Sequence, residues 1–233
     1  MQVVILCGGE GTRLREYTEK IPKPLVEIGN KPILWHIMKY YSQHGFNDFV
    51  LCLGYKGEKI REYFNENKEN WNINFVDTGL DSNKAERIKK IKKFIKEDNF
   101  FVAYGDDLSD VGINKLLKFH KEKNKIVTLT TINPISQFGI LEFNENDEII
   151  NFKEKPKLNH WINGGFFVFN KKIFDYLKEK WDLEKETFGQ LAKERQICAF
   201  KHNGFWKCMN TFKDTLELNE IWKNKKAPWR IWE

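Results

Sequence analysis

The chain has 233 residues, a formal charge of +6, and 41% hydrophobic and 15% aromatic residues, which excludes a disordered chain and leaves room for one large core. No apolar run approaches the roughly 18 residues of a membrane span. The basic residues are scattered over several helix faces rather than gathered in one tract, so small polyanionic substrates suit the charge better than nucleic acid.

Val3-Val4-Ile5-Leu6-Cys7 reads as a buried first strand. It enters a loop carrying Gly8, Gly9 and Gly11, followed by Arg13 and by Lys23 between two prolines. Ile33, Leu34, Ile37, Met38 and Tyr41 share one helical face, with Asn30 as candidate cap and Gly45 as stop. Phe49 to Leu53 predicts a second strand, Ile60, Tyr63 and Phe64 a short helix, and Ile73 to Val76 a third strand running into Asp77-Thr78-Gly79. Ile88, Ile91 and Ile95 mark a helix. Phe100 to Tyr104 is a fourth strand ending in Gly105-Asp106-Asp107, and Ile113 to His120 another helix before strand Ile126 to Ile132. Such alternation predicts a mostly parallel sheet covered on both faces.

After 132 the pattern turns β-rich. A hairpin is expected over 138–153, a strand over Phe166 to Phe169, and helices over 171–180 and 184–194. Strands over 197–201 and 205–209 precede a helix over about 212–224. The aromatic tail, Ala227 to Trp232, predicts a docked segment. With no repeat or linker, a single domain over 1–233 is expected. Cys7, Cys52, Cys198 and Cys208 lack zinc-site spacing; Cys7 and Cys52 read as small core residues. With no secretory leader in view, a reduced, cytoplasmic setting is the expectation.

Gly8, Gly9 and Gly11 follow a strand directly, so the backbone there can approach a ligand with N–H groups facing phosphate oxygens. Arg13 and Lys23 add positive charge. The dinucleotide fingerprint fails because Leu14 stands where its third glycine belongs, and the G-x-x-x-x-G-K-[ST] loop is absent. Ligands of parallel sheets bind at the carboxyl ends of strands, where both Gly8–Gly11 and Gly105–Asp107 lie.

Gly8-Gly9-x-Gly11-Thr12-Arg13-Leu14 followed by Pro22-Lys23-Pro24-Leu25 resembles the signature of sugar-phosphate nucleotidyltransferases. VDTG (76–79), YGD (104–106), FKEKPK (152–157), INGGFFVFN (162–170), GFW (204–206) and KAPWRIWE (226–233) extend the resemblance over nearly the whole chain, towards glucose-1-phosphate cytidylyltransferases. It implies a Rossmann-like, GT-A-like α/β fold with a nucleotide-binding half over 1–132 and an acceptor-binding half over 133–233. The implied reaction joins CTP to glucose 1-phosphate and releases pyrophosphate. Leu6, Gly8, Gly9, Gly11, Thr12, Arg13, Lys23, Thr78, Arg87 and Asp106 would then face the nucleotide, with Arg13 and Lys23 catalytic. Tyr104, Glu154, Lys155, Asn163 and Gly164 would face the acceptor. Asp106 and Asn210 would hold Mg²⁺, and a homo-oligomer is implied.

The acceptor's phosphate monoester is already largely dianionic near neutral pH, so no general base is required. None of the five histidines needs a catalytic role, and His36 reads as structural. Three departures stand against the family pattern. Asn210 replaces the usual aspartate, Lys84-Ala85-Glu86 replaces T-G-G before Arg87, and the segment Asn65 to Asn72 is short. They leave open a different base, a different phosphorylated acceptor such as another sugar or a phosphorylated amino acid derivative, or a nucleotide-binding pseudo-enzyme.

Overall fold

The computed structural model describes residues 1–14 and 18–233. In chain order it contains β1 (Val3–Leu6), β2 (Glu27–Ile28), β3 (Lys31–Pro32), α1 (Ile33–Gln43), β4 (Asp48–Leu53), α2 (Gly57–Glu66), β5 (Asn72–Asp77) and α3 (Lys84–Lys90). Then come β6 (Asn99–Tyr104), β7 (Asp107–Ser109), α4 (Ile113–Lys123), β8 (Val127–Ile132), β9 (Ile140–Phe143), β10 (Ile149–Lys153), β11 (Ile162–Asn170), α5 (Phe188–Lys193), β12 (Ile197–Lys201), β13 (Trp206–Cys208) and α6 (Phe212–Lys223). Seven strands form one sheet in the order β12-β8-β11-β6-β1-β4-β5. β1 pairs in parallel with β4 and β6, β4 with β5, and β8 with β12. Only β11 runs antiparallel, between β6 and β8. Because β1 is central, its side chains alternate between two cores: Val3 and Ile5 join the α1 side, Val4 the α3 side.

This is the mostly parallel, helix-flanked sheet predicted; the antiparallel pair β9–β10 lies in the second half, and β7–β13 joins the two halves. Cys7 and Cys52 are buried in the core. No helix among the described residues is long and apolar enough to cross a membrane.

Local departures have local causes. Asn30 does not cap α1, because Lys31 and Pro32 first pair with Ile28 and Glu27; Pro32 takes the cap position. The helix expected through Ile95 leaves α-geometry after Lys90 and continues as a 3₁₀ turn, Lys92–Phe94. Only Lys171–Asp175 coils in the 171–180 segment. The 184–194 segment begins as a π-turn, Leu183–Thr187, nucleated by the Asp182 carboxylate accepting from the amides of Glu184 and Lys185. β11 starts four residues earlier than expected, so Asn163, Gly164 and Gly165 lie within the strand, at an irregularity between Asn163 and Phe167.

The tail docks on its own chain. Trp229 is fully buried and packs against Trp222, Phe205 and His36. His36 donates Nε2–H to the Ile28 carbonyl (2.8 Å), leaving Nδ1 to accept from Trp229 Nε1 (3.5 Å). Burial lowers its pKa to about 4. Burial lowers His120 to about 4 as well, where Nδ1 meets Thr128 Oγ1 at 2.8 Å.

These two rings fix a pH dependence of stability. Their folded pKa values lie below the unfolded 6.5, so between pH 6.5 and about 4 the unfolded chain binds protons that the fold refuses. Stability should hold above this window, fall as pH drops through it, and lose up to about 3 kcal/mol from His36 alone. Urea unfolding at about pH 7 and about pH 5 reads this slope, before carboxylate protonation dominates. Equal stabilities would mean that the rings are not held neutral.

Candidate active site

A cavity of about 560 Å³ opens at the carboxyl ends of β1 and β6. Its floor is organised by a buried guanidinium. Arg87, on α3, donates from Nη1 to the Leu53 carbonyl (3.1 Å), Thr78 Oγ1 (2.8 Å) and the Gly79 carbonyl (2.8 Å). Its Nη2 donates to the carbonyls of Gly8 (3.0 Å) and Leu80 (3.0 Å). One side chain thereby ties together the ends of β1, β4 and β5. A Cβ on Gly8 would stand 2.1 Å from Nη1, and one on Gly54 2.6 Å from it. Those two glycines therefore make room for Arg87. Gly11 serves the turn itself, with φ +65°. Arg87 still borders the cavity, while Thr78 is fully buried behind it, donating Oγ1–H to the Leu53 carbonyl at 2.6 Å.

Against Gly11, Lys23 emerges from a 3₁₀ turn whose Pro22 and Pro24 fix the backbone. Its Nζ reaches Asp106 Oδ2 at 2.5 Å and Asn210 Oδ1 at 3.0 Å. Three residues far apart in sequence thus meet at one ammonium. Asp107 lies beside them with Oδ1 unpartnered and the residue 3% exposed. Burial, and then the Asp106 charge, push its carboxyl well above the usual range. Across the β7–β13 pair, Cys208 is in register with Asp107, and its Sγ–H donates to Asp106 Oδ2 at 3.8 Å. Asp106, Asp107 and Cys208 offer ligand atoms all within 4.8 Å of one another. That donor set, with an unpaired buried carboxylate oxygen, fits a divalent cation.

The wall opposite the glycines is a hydrogen-bonded chain. Asn163 Nδ2 donates to the Tyr104 hydroxyl (3.1 Å), Tyr104 donates to Glu184 Oε1, and the same oxygen pairs with Lys84 Nζ. Burial and the Glu184 charge push the Tyr104 phenol far up, keeping it a donor. The Gly165 amide donates to Asn163 Oδ1 (3.0 Å), fixing which way that amide faces. The Gly164 carbonyl is taken by Trp206 Nε1 at 2.8 Å.

Leu6, Gly8, Gly9, Gly11, Arg13, Lys23, Arg87, Tyr104, Asp106, Asn163 and Asn210 all border this cavity. Thr12, Thr78, Glu154, Lys155 and Gly164 do not. Glu154 and Lys155 follow β10, more than half exposed and paired with each other at 3.4 Å. Asp107, Asp182, Lys84, Trp206 and Cys208 border it without having been singled out as site residues. Asp107 adjoins Asp106 in sequence, and that doublet was a usable signal. Asp182 had none, because the turn that presents it was read as ordinary helix.

Residues 2–225 match the family described as nucleotidyl transferase. A glucose-1-phosphate cytidylyltransferase of Salmonella typhi is 42% identical over 258 aligned positions, covering all of both chains. That alignment is longer than this chain, so the relative carries segments absent here. A mannose-1-phosphate guanyltransferase of Saccharomyces cerevisiae is 33% identical over 97% of this chain and 66% of its own. Among solved structures, HddC from Yersinia pseudotuberculosis, complexed with GMP-PN, superposes with a TM-score of 0.74 at 24% identity, covering 95% of this chain and 99% of that one. This last likeness establishes the fold.

The Arg87 clip makes a stability prediction. Arg87→Met keeps the aliphatic stem but removes five hydrogen bonds from a charged donor, a class worth about 1.5–3 kcal/mol each. The variant should lose about 3 kcal/mol or more in denaturant unfolding. A loss below about 1 kcal/mol would remove Arg87 as the organiser of the floor.

Proposed function

The chain belongs to the nucleotidyl transferase family, and on that premise we propose that it transfers a cytidylyl group from CTP to glucose 1-phosphate, yielding a CDP-sugar and pyrophosphate. The observation that carries the reading is the meeting of Lys23, Asp106 and Asn210 in a cavity bounded by the glycine loop on one side and by Tyr104 and Asn163 on the other. Full-length identity to the Salmonella cytidylyltransferase supports the choice of CTP and glucose 1-phosphate.

In this reading the acceptor phosphate attacks the α-phosphorus in line, one P–O bond forms, and the bond to pyrophosphate breaks. The nucleophile is already ionised, so the protein supplies position and countercharge. The Gly8–Gly11 backbone and Arg13 receive the triphosphate. Lys23 neutralises charge that builds on the phosphoryl oxygens. Asp106 and Asn210 would hold a divalent cation such as Mg²⁺, which when bound neutralises and orients phosphate oxygens. Asn163, oriented by Tyr104 and Gly165, faces the acceptor. Glu154 and Lys155 reach it only by movement of the segment after β10. A cytoplasmic enzyme drawing on the nucleotide pool completes the reading. A homo-oligomer is also part of it, with the exposed Phe143, Ile149, Ile150 and Phe152 of the β9–β10 hairpin as the apolar face that supports it.

A second reading, transfer from another nucleotide or to another phosphorylated acceptor, is favoured by the Lys84–Glu184 ion pair, which places a cation in the cavity wall.

Pyrophosphate release should be seen with CTP and glucose 1-phosphate in a panel of CTP, UTP, GTP, ATP and dTTP against several phosphorylated acceptors. A different preferred pair selects the second reading; no turnover with any pair leaves a nucleotide-binding pseudo-enzyme. Asp106→Ala should abolish turnover. Lys23→Ala should lower kcat/KM by about a hundredfold or more, the scale of losing one charge-stabilising donor. Normal kinetics in either variant would remove that residue from the site.

A further inference from the structure

The geometry points to a divalent-cation site whose ligands are Asp106, Asp107 and the Cys208 thiolate, selecting a borderline cation such as Mn²⁺, Co²⁺ or Zn²⁺ over Mg²⁺. This deepens the reading above, in which a divalent cation serves the triphosphate, and rests on it for the site's use but not for its existence.

The two residues expected to hold a metal do not form a strong pair. Asn210 contributes a neutral oxygen, and that oxygen already accepts from Lys23 Nζ at 3.0 Å. A second carboxyl stands instead at Asp107, the next residue after Asp106. Asp107 is 3% exposed, borders the cavity and leaves Oδ1 without a partner. A buried unpaired carboxylate oxygen is costly unless something meets it.

The backbone is shaped around this carboxylate. A Cβ on Gly165 would lie 2.2 Å from Asp107 Oδ2, and Gly165 holds φ +78°. Any other residue there would be strained and would also drive the carboxylate out. The antiparallel β7–β13 pair fixes Cys208 directly opposite Asp107, and the Met209 amide bonds the Asp106 carbonyl at 2.9 Å, locking the two segments in this register. Among the described residues, Asp106, Asp107 and Cys208 form the one group of acidic, cysteine or histidine side chains whose ligand atoms all lie within 4.8 Å.

Donor chemistry then sets the cation. Mg²⁺ takes hard oxygen ligands in octahedral geometry and has no use for sulfur. A thiol beside two carboxylates suits a borderline cation, which deprotonates the thiol on binding. Lys23, at 2.5 Å from Asp106 Oδ2, holds that oxygen's countercharge meanwhile and would be released towards phosphate.

Co²⁺ titration of the full-length protein, followed by absorption, tests the assignment without turnover. A near-ultraviolet sulfur-to-cobalt charge-transfer band should appear on saturation. It should vanish in Cys208→Ser and persist in Cys198→Ser. Asp107→Asn should weaken Co²⁺ binding at least about tenfold, the low end of what losing even an outer partner costs at a metal site. Mg²⁺ in tenfold excess, about the scale of the selectivity proposed, should not displace the cobalt. Circular dichroism and unfolding midpoints confirm that each variant is folded; should Asp107→Asn not fold, Asp107→Glu, with its carboxylate displaced by one methylene, gives the same comparison. Absence of the band, its survival in Cys208→Ser, unchanged affinity on altering Asp107, or ready exchange for Mg²⁺ would overturn the proposal. The band together with no turnover on CTP and glucose 1-phosphate sinks only the substrate reading. Turnover with Mg²⁺ and no band sinks only the thiolate site.

Discussion

A single buried cation sets the shape of the cavity floor beneath the glycine loop. Arg87 is 4% exposed and spends its terminal nitrogens on four backbone carbonyls and one hydroxyl. These carbonyls lie where the parallel strands end, and an oxygen with two lone pairs can take the guanidinium beside a backbone amide, as Gly8 does with Tyr55 and Leu53 with Thr78. A planar guanidinium with a fixed fork of donors can satisfy several of them at once, where a lysine would satisfy them one at a time. β1, β4 and β5 therefore end at one level, and the loop between β1 and Arg13 starts from a fixed platform. Burial lowers the Arg87 pKa from its ordinary value, yet a guanidinium stays charged in proteins. The platform thus brings a permanent positive charge beneath the glycine loop, an electrostatic asset for any anion above it.

The glycines take a second meaning from this. A strand followed by Gly8, Gly9 and Gly11 invites the reading of a backbone laid bare for phosphate. Gly9 fits that picture, since a Cβ there meets nothing within 4 Å. Gly8 is bare for the opposite reason: its empty side faces inward onto Arg87. The same residue type in the same motif thus serves ligand approach at one position and side-chain packing at its neighbour. Periodicity and motif spacing cannot separate the two, because the partner arrives from a helix far along the chain.

Much of the fold was legible because its signals are local. β-branched runs alternating with amphipathic helices specified a parallel sheet, and the approach of Leu6 to Asp106 follows from the ends of β1 and β6 lying side by side. Antiparallel β11, wedged between β6 and β8, was not legible. Its run of phenylalanines is equally buried in either direction, and direction is decided by how the chain returns from the β9–β10 hairpin. The π-turn at Leu183–Thr187 was also hidden, since its apolar spacing imitates a helix. That turn carries Glu184, so the ion pair with Lys84 and the bond from Tyr104 were invisible beforehand. Departures at Lys84 and Asn210 were visible as substitutions, but their partners Glu184 and Lys23 emerge only from tertiary structure.

Those partners join distant parts of the chain. Lys84 begins α3, and Glu184 lies in the turn before α5; Tyr104, at the end of β6, donates to Glu184 and accepts from Asn163. A lysine in place of the family's threonine, just ahead of the two lost glycines, looks like an obstruction when considered alone. Here its ammonium is held over the Tyr104 ring and against a carboxylate, so it forms a wall and does not hang free in the cavity. Whatever ligand enters must either leave that pair intact and read its remaining donors, or replace the Glu184 contact with one of equal strength. The chain from Lys84 through Glu184 and Tyr104 to Asn163 therefore ties α3, β6 and β11 to the turn at Leu183–Thr187, so that a shift in any one of them is felt along this wall.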